Sequence, residues 1–220
     1  MLKGSAYLSL VLFIYVLFSA VNAVAQPKPQ QPELRFTALT SKNGLSSNNV
    51  TVIFKDRYGL MWFGTEDGLN KFDGTNFTTY KRQANDSASI QANEVKAIYE
   101  DRRGNLWIGT SGGSLALFDR RKNAFINYPA SNTPTGFSHS LIRYITSDYL
   151  GKIWVATFTG LDVFDPDTKK VSKFPIAAGQ FGKLPPAMIN ILMEDSKHRM
   201  WVGTDDGLFL FNRKKLLLPE

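Results

Sequence analysis

Ten residues recur four times in this chain: "DRYGLMWFGT" at 56–65, "DRRGNLWIGT" at 101–110, "DYLGKIWVAT" at 148–157 and "DSKHRMWVGT" at 195–204. Trp62, Trp107, Trp154 and Trp201 are all the tryptophans there are, and they stand 45, 47 and 47 residues apart. A short unit repeated at such a period cannot bury its own apolar face. It must stack on its neighbours, which restricts the fold to a propeller or a linear array. Helical repeats of similar length need amphipathic pairs, and that periodicity is absent.

Each unit instead reads as short strands separated by turn residues. "VTVIFKD" (50–56), "VKAIYED" (95–101), "IRYITSD" (142–148) and "INILMED" (189–195) are rich in β-branched and aromatic residues and end in Asp. The Trp strand follows, then "GLNKFD" (68–73), "SLALFD" (114–119), "GLDVFD" (160–165) and "GLFLFN" (207–212). A fourth strand is legible at "FTTY" (77–80), "FINY" (125–128) and "VSKF" (171–174), with "KLLLP" (215–219) as a further candidate. Four short strands per unit is the pattern of a propeller blade. The expectation is an all-β β-propeller with four recognisable four-stranded blades, in units of about 48–80, 93–128, 140–174 and 187–218 within a region 35–220.

The repeated residues read as scaffold. Asp at the first position of a turn accepts from the backbone two residues on, and Gly at the fourth tolerates the exit geometry. Asp56, Asp101, Asp148 and Asp195 are therefore hairpin residues. The tryptophans share one register, where a large ring fills the wedge between sheets. Gly or Ala before Thr65, Thr110, Thr157 and Thr204 fits close approach of neighbouring sheets.

The N-terminus follows another pattern. Lys3 precedes the apolar run 6–21, and Ala23 and Ala25 supply the small residues of a signal-peptidase site before Gln26. Residues 1–25 are expected to be a signal peptide and 26–34 a polar linker. The chain has no Cys and only two His, His139 and His198, which excludes disulfides and thiolate metal sites and leaves little for histidine catalysis. No catalytic residue, cofactor or metal is assigned. Its net charge of +7 is scattered in short pairs, without the basic run or helix that binds nucleic acid.

The pattern of an apolar strand ending in Asp, then x-x-Gly-x-Leu-Trp-Ile-Gly-Thr, then Gly-Leu and an aromatic before Asp, resembles the two-component regulator propeller repeat. Residues 101–119 and 56–73 match it nearly in full and 148–165 well. In the fourth copy His198 replaces the turn Gly, so a looser hairpin is expected. "LRFTALTSKNGLSSNNV" (34–50) also looks like the start of such sensors. The resemblance implies an N-terminal periplasmic sensor region of the hybrid two-component histidine kinases of Bacteroidota, relatives anchored in the inner membrane whose propellers have seven blades. Against seven, four units point to an incomplete, truncated ring, with a small closed ring of four blades as the alternative and "FTAL" (36–39) as a strand able to close a last blade. The kinase domains are not in this sequence, so the chain is read as a non-enzyme, joined to a membrane only through a missing C-terminal part.

A ligand face would be formed by the loops leading into the innermost strands, "SSNN" (46–49), "QANE" (91–94), "FSHS" (137–140) and "LPPA" (184–187), with Thr51, Lys96, Arg143 and Asn190 near the channel mouth. These vary between copies while the scaffold does not, as a binding face on a repeat scaffold does. Sugar recognition needs planar hydrogen-bonding groups and an apolar platform. Asn48, Asn49, Asn93, Glu94, His139, Arg143 and Asn190 supply the former, and Phe137 the latter. The expected partner is an oligosaccharide or other small periplasmic ligand. A protein-interaction or dimerisation scaffold, working as a homodimer, is the alternative; a propeller hydrolase or lyase is a weaker one, because Glu94 has no evident partner carboxylate.

Overall fold

The structure is a computed structural model, and it describes residues 11–15, 34–113, 115–131, 133, 136–174 and 188–211. The chain divides into two units, residues 1–38 and 39–220. In the first, residues 11–15 are helical and 34–38 form no regular element, so "FTAL" is not a strand. Among the described residues no helix is long and apolar enough to cross a membrane. The rest of the expected signal peptide, most of the linker, the loop 184–187 and the segment 215–219 lie outside the described residues.

The second unit is a run of antiparallel sheets in chain order. β1 (Val50–Lys55), β2 (Met61–Thr65), β3 (Gly68–Phe72) and β4 (Phe77–Tyr80) form the first blade. β5 (Val95–Glu100), β6 (Leu106–Thr110), β7 (Leu115–Asp119) and β8 (Ala124–Tyr128) form the second. β9 (Ile142–Ser147), β10 (Ile153–Thr157), β11 (Leu161–Asp165) and β12 (Lys170–Lys173) form the third. The fourth has β13 (Ile189–Glu194), β14 (Met200–Thr204) and β15 (Gly207–Phe211) among the described residues. The first strands of consecutive blades, β1, β5, β9 and β13, lie side by side. Together the blades make up part of a propeller.

The ten-residue repeat closes a hydrogen-bonded knot inside each blade. In the second blade Asp101 Oδ1 accepts from the amides of Arg103 and Asn105, and Oδ2 accepts from the Trp107 indole N–H at 2.9 Å. The same indole bond runs from Trp62 to Asp56 at 2.8 Å, from Trp154 to Asp148 at 2.6 Å and from Trp201 to Asp195 at 2.9 Å. Asp and Trp are thus one device, which lets a carboxylate and an indole N–H be buried together without unmet hydrogen bonds.

The fourth hairpin is not looser. His198 adopts φ 60°, the left-handed region that Gly59, Gly104 and Gly151 occupy in the other copies. Asp195 keeps its bonds from Lys197 and Arg199, and the His198 ring stacks on Tyr149 of the third blade at 4.0 Å. Left-handed backbone costs a residue with a Cβ about 1–2 kcal/mol, and this stacking offsets part of it.

Between blades, the first three Trp pack on the third-strand Phe of the next blade: Trp62 on Phe118 at 5.1 Å, Trp107 on Phe164 at 5.7 Å and Trp154 on Phe211 at 5.8 Å. Gly109 allows the approach, since a Cβ there would stand 2.5 Å from Ile142 Cγ2 of the following blade. The arrangement leaves two faces uncovered among the described residues. Ile98, Ile145 and Leu192 are buried against the preceding blade, but their counterpart Ile53 is 62% exposed. On the fourth blade Ile191, Met193, Leu208 and Leu210 are exposed where the equivalent residues of earlier blades meet a neighbour.

Candidate functional site

The second residue of each inner strand is skipped by the strand pairing. Val50 pairs with Thr65 and Val52 with Gly64, passing over Thr51. Lys96, Arg143 and Asn190 are passed over at the same place in β5, β9 and β13. Each inner strand therefore carries a β-bulge at its start, and a bulge re-aims a side chain out of the regular alternation. The four bulged residues line one open cavity of about 480 Å³, together with Glu94, Ser111, Leu141 and Phe158.

Its polar groups are partly committed. Glu94 forms a 2.5 Å ion pair with Lys96, and the hydrogen bonds from Lys96 and Ser111 hold its carboxyl below the usual range. The Thr51 hydroxyl donates to the Val95 carbonyl. Arg143 Nη2 donates to Asn190 Oδ1 at 3.2 Å, while its Nε is buried without a hydrogen-bond partner. Phe158, 48% exposed, stands at the rim with the His139 ring 5.4 Å from it. Among the described residues no cluster of His, Asp or Glu could hold a metal ion.

Of the expected site residues, Glu94, Arg143 and Asn190 meet in this cavity. The others stand outside its lining. Asn48 Oδ1 accepts from the Ser41 amide, Asn49 Nδ2 donates to Glu66, and Asn93 bridges the Arg82 amide and Asp67. His139 Nδ1 accepts from the Leu141 amide. Phe137 needs correction as a platform: it is 2% exposed and packs in the core against Phe164 at 5.9 Å. The exposed ring is Phe158, which sequence reasoning missed. Its signal was available: the residue after the repeated Thr is Glu66, Ser111, Phe158 or Asp205, varying as freely as the bulged position.

Two of the lead-in loops, those of the first and third blades, are pinned by a buried polar residue of the third strand. Asn70 accepts from the Ser46 amide and donates to its hydroxyl; in the third blade Asp162 accepts from the Ser138 amide and hydroxyl, both at 2.6 Å. Burial pushes the Asp162 carboxyl up, more than the Ser138 bonds bring it down. A folded-state pKa raised above the unfolded one means that ionisation works against the fold as pH rises through it. Asp162→Asn, which copies Asn70, is expected to melt higher than the parent at pH 7. That gap should shrink as pH falls and vanish below about pH 4, where the unfolded Asp is also protonated. Melting curves of both proteins from pH 3.5 to 7 check this, and a gap that widens on acidification contradicts it.

The family model described as "two component regulator propeller" matches residues 44–67, 89–112 and 183–206. The chain is 36% identical over 89 residues to "Histidine kinase P4" of Formosa agariphila, a match covering 40% of this chain and 6% of that protein. Among solved structures it is similar to the extracellular domains of two putative hybrid two-component systems from B. thetaiotaomicron. One is 27% identical at a TM-score of 0.63, covering 81% of this chain and 30% of the other. The second is 28% identical at the same TM-score, covering 77% and 23%. The chain thus spans less than a third of each of these relatives.

Proposed function

We propose, from the match of the two component regulator propeller model to residues 44–67, 89–112 and 183–206, that the chain is an extracytoplasmic ligand-sensing propeller module of a two-component signalling system. In this reading it is periplasmic, exported by the segment 1–25, and does no chemistry of its own.

One observation supports the reading above the rest. Four β-bulges in four blades turn Thr51, Lys96, Arg143 and Asn190 into one cavity. The scaffold around them repeats and these four residues do not. Hydroxyl, ammonium, guanidinium and amide groups beside an exposed Phe158 suit a small polyhydroxylated ligand such as an oligosaccharide, whose hydroxyls take hydrogen bonds and whose ring face takes the aromatic.

The test begins with a glycan panel and continues by calorimetry. Losing one hydrogen-bond partner of a ligand costs about 0.5–1.5 kcal/mol and more for a charged group, so Arg143→Ala should weaken binding about tenfold. Its melting temperature should stay close to the parent's, since Arg143 is outside the core. Equal titration curves for the two proteins would sink the assignment.

The second reading, an interaction or dimerisation scaffold, is favoured by the exposed apolar faces at Ile53 and at Ile191, Met193, Leu208 and Leu210. Light scattering separates the two. A mass rising with concentration, with no glycan bound, supports the scaffold.

A further inference from the structure

Resting on the ligand-sensing reading, we infer that the cavity selects an acidic ligand, a polyhydroxylated molecule bearing a carboxylate or sulfate that docks on Arg143. The argument is one of charge at a built position.

The cavity holds two cations and one anion among its lining residues. Lys96 is neutralised by Glu94 at 2.5 Å, and that carboxyl stays ionised because Lys96 and Ser111 hold it so. Among the described residues Arg143 has no such partner: it donates to the neutral Asn190 Oδ1 at 3.2 Å. One positive charge is left over. A guanidinium presents donors in a planar fork suited to an oxyanion. Here Nη2 is anchored by Asn190, and Nε is shielded from solvent and so from any ligand as well. An oxyanion seated against the guanidinium from the cavity would remove the charge imbalance, which a neutral hydroxyl would not.

The position is rigid as well as charged. Arg143 sits in a bulge whose flanking residues, Ile142 and Tyr144, are paired to Thr157 and Ala156. Ile142 is wholly buried. Around it, the Thr51 and Ser111 hydroxyl oxygens can still accept and the Asn190 amide NH2 can still donate to ligand hydroxyls, and Phe158 offers a ring face. A charged group on a polyol fits this lining, with the charge fixing its orientation and the hydroxyls its identity.

The experiment is a titration followed on the arginine Nε–H signals of the nitrogen-15-labelled chain, at one ionic strength held with sodium chloride. The Arg143 signal is identified by its loss in Arg143→Gln. The probes are glucuronate, glucose 6-sulfate, glucose and inorganic sulfate. The expected result is a saturable shift of the Arg143 signal by at least one sugar acid, with at least tenfold tighter binding than glucose or inorganic sulfate, and in Arg143→Gln no saturable shift of the Thr51 and Asn190 amide signals. Response to glucuronate alone assigns a carboxylate, and response to the sulfate ester alone assigns a sulfate. If glucose binds as tightly as the acids and moves the amides of Thr51 and Asn190, the sensing site stands and the acidic preference is overturned. If inorganic sulfate binds as tightly as the sugar acids, the position takes a bare anion and the inference falls. If no probe moves any cavity signal, the inference and the site fall together.

Discussion

Trp107→Ala is expected to destabilise the chain by about 3–5 kcal/mol, the range for emptying a buried aromatic site. Trp107 is 1% exposed and fills the wedge between the second and third blades, packed on Phe164 at 5.7 Å and Tyr128 at 6.1 Å. The void would be bounded by two sheets whose backbones are fixed by their own ladders, so little collapse can fill it. With a urea m-value of about 1–3 kcal/mol per molar, the unfolding midpoint should drop by more than about 1 M. Trp107→Phe, which keeps ring packing and loses the indole N–H, should fall between the two. A midpoint unchanged in Trp107→Ala would refute the role given to the repeat. So would retained stability with selective loss of ligand binding, since the residue would then belong to the site.

Asp101→Ala is expected to cost about 2–4 kcal/mol through lost hydrogen bonds rather than lost volume. Asp101 accepts from the amides of Arg103 and Asn105, from the Asn105 side chain and from the Trp107 indole. The first three donors reach water once the carboxylate is gone. The indole does not, and an unmet buried N–H carries most of the cost. Asp101→Asn should recover part of it, because its carbonyl oxygen can still accept from both backbone amides while its NH2 group opposes the indole N–H. In a Trp107→Phe background that opposition disappears, so the Asn substitution should cost less there. Double-mutant cycles on urea unfolding measure the coupling, and a value near zero would mean that Asp and Trp act independently.

Much of the scaffold was legible before any coordinates. The inner strands end one residue short of the repeated Asp, where the Asp turn was placed, and the turn bonds from positions two and four residues on are local. The Asp-to-Trp bond lies six residues away within each copy, yet no spacing rule reveals it, because it depends on the strand folding back so that indole and carboxylate meet. The bulge had a faint trace: Val50 and Ile53, like Ile142 and Ile145, lie three residues apart on the same side of the blade, which strict alternation forbids.

The candidate site was half legible. Position in the repeat pointed to Arg143 and Asn190, since equivalent residues of a repeat stand at equivalent depth. It could not tell that Phe137 turns inward onto Phe164 while Phe158 turns outward, because both are single aromatic residues in variable loops. Nor could it tell that the amides of Asn48 and Asn93 are occupied by Ser41, Arg82 and Asp67.

What the sequence determined by itself is the blade: its period, its strands, its turns and the residues that recur because every copy solves the same local hydrogen-bonding problem. What only the tertiary structure decided is which side chains are left over. A side chain is free to bind when no neighbour has taken its hydrogen bonds and no sheet has covered its surface. Those neighbours come from another blade, as Asn190 does for Arg143, or from a distant strand of the same blade, as Phe164 does for Phe137. Period and propensity act along the chain, whereas burial and pairing at the channel mouth are fixed by contacts between residues far apart in the sequence.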